Sequence, residues 1–380
     1  MRARGPGRCM RGCSRKQCVA PPHPRLHQFR HRRRLPIPHR GAPFATRCAQ
    51  PGLVRCVRFD DVSDFNTGSG GLNGAYQQNA GIMPPYGTSD YTRAVRDTTA
   101  KASGNGSLKF TVPANAGADT SGMYFTNFST DLNTQFGENS EFYVQWRQRF
   151  SLEFLINNAN GGGWKQIIIG TRDQPGTWYS SCTAPETVLH NDYYRGFAQM
   201  YKSCDGSASH GPSDPFEQPF GASDFKLQNA RPSPYCLYSQ KNSSYFPPVG
   251  DCFGYFADEW MTSRSASSSG RALATSSSTA TAWCGLPARG QPSQLVINFG
   301  PYSLTAGDPS TNQRFAKPWP TPYKTGRDAS ATQPVAYTCY EEPIISRKPI
   351  ADPWSDPFGF AKGSVRNASL PICCAFRDSS

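Results

Sequence analysis

Two stretches of the chain set out aromatic, amide and guanidinium side chains at alternate positions. Residues 141–150 read Glu-Phe-Tyr-Val-Gln-Trp-Arg-Gln-Arg-Phe. Successive side chains of a strand point to opposite faces, which places Phe142, Val144, Trp146, Gln148 and Phe150 on one side and Tyr143, Gln145, Arg147 and Arg149 on the other. The first face is core. The second suits a sugar polymer: a flat ring stacks on a pyranose, an amide bonds hydroxyls, and a guanidinium fork grips a carboxylate. Residues 193–202 repeat the arrangement, with Tyr193, Arg195, Phe197, Gln199 and Tyr201 together. Two such stripes can line a groove, although a solvated outer sheet face carries the same residue types with no ligand.

Other groups add to this inventory. Trp164, Lys165 and Gln166 follow three consecutive glycines, so a sharp turn delivers a large aromatic, a cation and an amide to the start of a strand. His190 precedes the second stripe and can accept a proton near neutral pH; a histidine at a loop-to-strand boundary also serves structural ends. The paired carboxylates of glycoside hydrolysis are not evident. Asp258 and Glu259 are neighbours that would point apart on a strand, and Glu341 and Glu342 precede Pro343 as though ending a loop. No Cys-x-x-Cys pair occurs, and His190 and His210 are the only histidines beyond residue 50, so no metal site is expected. The sequence leaves open whether a calcium ion braces the fold.

These residues need strands to position them. The chain of 380 residues is 37% hydrophobic with 35 Gly, 33 Pro, 17 Tyr and 23 Phe, a loop-rich β composition. Short alternating runs predict strands at 107–112, 123–128, 141–150, 164–169, 193–202, 294–299 and 335–346, the texture of an all-β sandwich or barrel. No sustained helical period and no long repeat appears. The Gly-rich run 66–74 lacks the Lys and following helix of a phosphate loop and reads as a turn.

Charge separates the ends from the body. Of 40 Lys and Arg against 27 Asp and Glu, 13 basic and no acidic residues fall in positions 1–50, which leaves the rest balanced. A basic globular domain is thereby excluded, and nucleic acid is disfavoured as a partner except through that arm. The arm reads as disordered, with 51–356 the folded domain and 357–380 a tail; its Arg, Pro and Cys bias also fits an upstream extension from a wrongly chosen start. No run is apolar enough to span a membrane and no signal segment is visible. Of 13 Cys, two disulfides are expected among Cys182, Cys204, Cys236 and Cys252. From Ser263 to Ala282, sixteen of twenty residues are Ser, Ala or Thr. A flexible linker accounts for that. So does a compensated frameshift, since a neighbouring frame of 263–270 can read Phe-Gln-Val-Arg-Ile-Lys-Leu-Gly, an amphipathic strand.

On four motifs the chain resembles the concanavalin A-like jelly-roll sandwiches, and among them polysaccharide lyases of the alginate or glucuronan type. The motifs are 141–150, the run Gly-Gly-Trp-Lys-Gln-Ile-Ile-Ile-Gly at 162–170, Asp-Glu-Trp-Met at 258–261 and Tyr-Glu-Glu-Pro-Ile-Ile-Ser at 340–346. The resemblance covers roughly 56–353 and implies a two-sheet antiparallel jelly-roll, an acidic (uronate-containing) polysaccharide as partner, no cofactor, a monomer, and a secreted or periplasmic protein. It further implies that Arg147 or Arg149 neutralises the uronate carboxylate and that Gln166 binds it. Ile168 stands where that family carries a histidine, so His190 would have to act as base from elsewhere. A late-strand Tyr would fall inside the Ser-rich stretch and is missing there. Tyr201, which shares a predicted face with Arg195 and Gln199, is then the candidate for a shared acid and base. The implied reaction is β-elimination; a non-catalytic carbohydrate-binding module is the alternative, and nucleic-acid binding through the basic arm a third reading.

Overall fold

Period-two sequences dominate the structure. The computed structural model describes residues 43–65, 80–85, 92–117, 121–137, 140–156, 163–171, 186–192, 197–203, 254–270, 277–285, 293–303, 314–324 and 332–353. Fourteen strands lie among them: β1 Leu53–Cys56, β2 Ala80–Met83, β3 Ala94–Asp97, β4 Ser107–Val112, β5 Met123–Thr126, β6 Glu141–Phe150, β7 Gly163–Thr171, β8 Glu186–Asp192, β9 Gln199–Ser203, β10 Trp260–Gly270, β11 Ser277–Gly285, β12 Gln294–Ser303, β13 Phe315–Pro320 and β14 Ala336–Ser346. Two five-residue helices, α1 Phe44–Cys48 and α2 Leu152–Ile156, complete the regular structure apart from one 3₁₀ turn.

The fold is an antiparallel all-β sandwich. One sheet of eight strands runs β12-β11-β10-β6-β14-β4-β3, with β1 also paired to β14. A second runs β13-β7-β8-β9, and β2 pairs with β5. The short pair adjoins β13, where the Phe128 N–H donates to Ala316 O at 2.8 Å. Between the layers lies one apolar core that takes Phe142, Val144, Trp146 and Phe150 from β6, Leu108, Phe110 and Val112 from β4, and Ile167, Ile169, Leu189 and Met200 from the smaller sheet. Alternation thus does what the sequence pattern requires: β4 and β6 seal the gap with every second side chain.

A polar ladder crosses this core. The Gln148 amide donates to Thr338 Oγ1 at 3.0 Å, and the Gln166 amide donates to Gln148 Oε1 at 3.0 Å. Tyr255 O–H donates to Gln166 Oε1 at 2.8 Å, and Tyr340 O–H to the Gln166 carbonyl at 2.7 Å. Buried amides cost free energy unless paired, so this ladder ties β7 to β6 and β14 in one register.

Two sequence expectations change. The described parts of the Ser-rich stretch are paired strands rather than a linker: β10 pairs β6 on one side and β11 on the other, with 271–276 outside the described residues. Ser263, Ser265 and Ser267 lie opposite Trp146, Val144 and Phe142, and all three serines are buried. Those are the alternate positions at which the shifted frame reads apolar residues. Part of the stretch read as a basic arm is folded, residues 1–42 lying outside the described residues. Phe44 and Arg47 of α1 are buried, and a Cys48–Cys56 disulfide fastens α1 to β1. Cys182, Cys204, Cys236 and Cys252 lie outside the described residues. Cys339 is a free, buried thiol, which burial pushes up to about 12.

Candidate functional site

The β6 stripe and the described part of the second stripe lie on different sheets, each on the side turned away from the main core. On β6, Tyr143, Gln145, Arg147 and Arg149 face away from the core as expected, yet the structure closes over the middle of that face. Gln145 is fully buried and Arg147 is 5% exposed. Arg47 from α1 donates to Gln145 Oε1 and to Glu342 Oε2, and Gln145 donates to the Ala351 carbonyl at 3.2 Å. Arg147 lies 3.8 Å from the same Glu342 carboxylate. Burial lowers the Arg147 pKa and the Glu342 and Glu341 charges oppose that fall. An Arg held this way balances protein carboxylates rather than a ligand's. Arg149 pairs with Asp258 at 3.1 Å, and Tyr143 O–H donates to Glu141.

The two glutamates at the centre of this clasp do not end a loop. They lie within β14, where the pairing with β6 slips between Glu341 and Ile344 and Glu342 takes φ 54°. A bulge of this kind lets consecutive side chains share one face. Glu341 accepts from the Ala102 N–H and, at 2.8 Å, from the Ser103 N–H. Desolvation pushes the Glu341 carboxyl up to about 7, the backbone donors and Arg147 acting against burial and Glu342 with it. Pairing between residues so far apart in the chain leaves no local sequence signal, and the sequence offers the two glutamates only as the end of a loop before Pro343.

A second bulge decides the fate of the Trp164-Lys165-Gln166 run. Register slips between Lys165 and Ile167 of β7, so Gln166 and Ile167 both turn inward. Gln166 is therefore a rung of the core ladder, and its amide is spent on Gln148 and Tyr255. Trp164 is core as well, with ring centroids 4.9 Å from Phe150 and 5.0 Å from Tyr255. Lys165 instead faces outward, its ammonium 5.3 Å from the Tyr323 ring centroid.

That face of the smaller sheet, turned away from the main core and covered over Ile168, Val188 and Trp319 by Met83 and Phe125 of the β2–β5 pair, gathers the remaining candidates. Lys165 pairs with His190, and His190 with Gln199, in one row across β7, β8 and β9. The next row runs Trp319, Ile168, Val188 and Tyr201. Lys317 stands at the β13 end, fully buried, its ammonium 4.5 Å from the Trp319 ring centroid and 5.2 Å from that of Phe125. His190 is 6% exposed and Gln199 is closed to solvent, whereas Lys165 is only partly buried. Arg195 and Tyr193 lie outside the described residues. The structure thus brings together Lys165, His190, Gln199 and the Tyr201 position; Arg147 lies on the other sheet, and Gln166, although on β7 beside Lys165, turns to the opposite face and into the core. Among the described residues no cluster of three His, Cys, Asp or Glu could hold a metal ion, and no helix is long and apolar enough to cross a membrane.

No protein-family model and no curated protein sequence matches the chain. Comparison with solved structures finds an alginate lyase variant in complex with an alginate tetrasaccharide, 11% identical at a TM-score of 0.36, covering 72% of this chain and 98% of its own. A marine PL-14 alginate lyase from Aplysia kurodai is 11% identical at 0.41, with 67% and 86% covered. A cellulose-induced protein is 12% identical at 0.33, with 67% and 85% covered. With identities and scores this low, none of them assigns an activity to this chain.

Proposed function

We propose that the chain binds an acidic, uronate-containing polysaccharide along the outward face of the smaller sheet and cleaves it by β-elimination. The observation that carries this reading is the Lys165–His190–Gln199 row, with the Tyr201 position one row away. A cation, an imidazole, an amide and a phenol are the groups an elimination next to a carboxylate uses. Lys165 neutralises the uronate carboxylate and Gln199 bonds it, lowering the cost of the carbanion-like transition state. His190 takes the C5 proton, the C4–O bond breaks to leave a C4=C5 double bond, and Tyr201 protonates the departing oxygen. Lys165 takes the neutralising role the motif resemblance gives to Arg147 or Arg149, because Arg147 is already balanced by Glu342 and Arg149 by Asp258.

Incubation with alginate, polyglucuronate and pectate, followed by ultraviolet absorbance of the unsaturated product, tests the reaction. The wild type is expected to generate that absorbance and His190→Ala to lose it. Binding with no product from any of the three polymers would reduce the protein to a carbohydrate-binding module, and no binding would remove the reading altogether.

A further inference from the structure

We infer that the outer face of the larger sheet carries a second glycan site, built around Asp258 and Trp260 and suited to an uncharged sugar chain. Asp258 heads the turn into β10, where its N–H donates to Phe150 O at 2.7 Å and its φ is 58°, a left-handed conformation that a side chain occupies at a cost. Strain of this kind persists where the surroundings hold it, and here two groups do. Arg149 donates to the Asp258 carbonyl at 3.0 Å and to Oδ1 at 3.1 Å, and Tyr337 O–H donates to the same Oδ1 at 3.0 Å. The carboxylate is thereby fixed in direction while its side chain stays 50% exposed. Both donors use Oδ1, and among the described residues no donor reaches Oδ2.

Trp260 completes the surface. It lies directly opposite Arg149 in the β10–β6 pairing, is partly exposed, and has the Arg147 guanidinium 6.0 Å from its ring centroid. Beyond Tyr337 the network continues through Lys109, whose ammonium lies 4.7 Å from the Tyr337 ring centroid and 3.1 Å from Asp97 Oδ2. Surface ion pairs of this sort contribute little stability by themselves. Their arrangement does something else: it holds a carboxylate, a guanidinium fork and an indole in fixed positions before any ligand arrives, which removes part of the ordering cost of binding.

Charge selects the ligand. Arg149 is matched by Asp258 and Lys109 by Asp97, so the surface offers no net charge to a polyanion, and its most exposed group is a carboxylate that would repel one. Hydroxyls fit it well. Oδ2 accepts from one sugar hydroxyl, Arg149 donates to a neighbour, and the indole covers the C–H face of the ring. Nothing here depends on the uronate site, which lies on the other sheet and takes a different ligand class.

The test uses the full chain with cellohexaose, xylohexaose and laminarihexaose as neutral probes, and a uronate hexamer beside them. At least one neutral probe is expected to bind with an affinity little changed by salt, and to protect Trp260 from oxidation by N-bromosuccinimide, read by peptide mass spectrometry. Asp258→Asn keeps the turn, since Asn tolerates the same φ, and should weaken that binding about tenfold; Trp260→Ala should weaken it at least as much. Trp260 protection is measured on the wild type and does not depend on the variants folding. Absence of neutral-glycan binding, binding without Trp260 protection, or protection by the uronate hexamer alone would each overturn the inference. The uronate reading fails separately, through lack of any response to uronate polymers.

Discussion

Replacing Glu341 with Gln removes one charge from the buried clasp on β14 and makes the pH dependence of stability a direct probe of it. Burial raises the Glu341 carboxyl to about 7 from its ordinary 4.5. A carboxyl with a raised folded pKa binds its proton more tightly in the native state than in the unfolded one. Its effect is absent below about pH 4.5, where both states are protonated. As pH rises from there to about 7 the unfolded state ionises first, and stability falls. A gap of this size corresponds to roughly 3 kcal/mol at pH 8. Glu341→Gln has no charge to desolvate, but its one oxygen can accept from only one of the Ala102 and Ser103 N–H groups, which reach different oxygens of the carboxylate, so it carries a pH-independent cost of about 1 kcal/mol. Urea unfolding at pH 5 and pH 8 should therefore show the variant gaining about 2–3 kcal/mol on the wild type between the two pH values. An unchanged slope between the two pH values in Glu341→Gln would refute the reasoning, because another group would then own the titration.

Three further outcomes follow from the same contacts. Arg47→Met strands Glu342 beside Arg147 alone and should cost about 3 kcal/mol in chemical denaturation, with Glu342→Gln in the same chain recovering part of the loss; a loss below about 1 kcal/mol would mean that α1 is not held by its charge. Cys48→Ser opens a short covalent loop and should lower stability by about 2–3 kcal/mol relative to the oxidised wild type, the two becoming alike under reductant. Ser265→Val places an apolar side chain opposite Val144 in the core and should raise the melting temperature, by about 1 kcal/mol of stability; a drop would show that β10 is already tightly packed against its neighbours.

Alternation made much of the fold legible. The limits of β4 and β6 coincide with the predicted runs, and the inward set of β6 is the one period two assigns. What escaped has physical causes. Bulges break the period, so residues 166–167 and 341–342 put consecutive side chains on one face, which moved Gln166 into the core and made Glu341 and Glu342 partners. Serine weakens the apolar signal of β10 without preventing its backbone from pairing, and the strand was visible only in the neighbouring reading frame. Arg47 reached its partners through tertiary contact alone, from a segment whose composition resembles an unstructured arm. The candidate site was half legible: Lys165, His190 and Gln199 were each identified, but the alternation of single strands could not show that β7, β8 and β9 would set them in a row and leave Arg147 on the far sheet.

The most direct measurement is the affinity of the full chain for a uronate hexamer, taken over a range of salt concentrations, in wild type and Lys165→Ala. Binding is expected to be salt-sensitive, with Lys165→Ala weakening it at least about tenfold and making its dependence on salt shallower. Uronate binding that is equally tight and equally salt-sensitive in Lys165→Ala would contradict it.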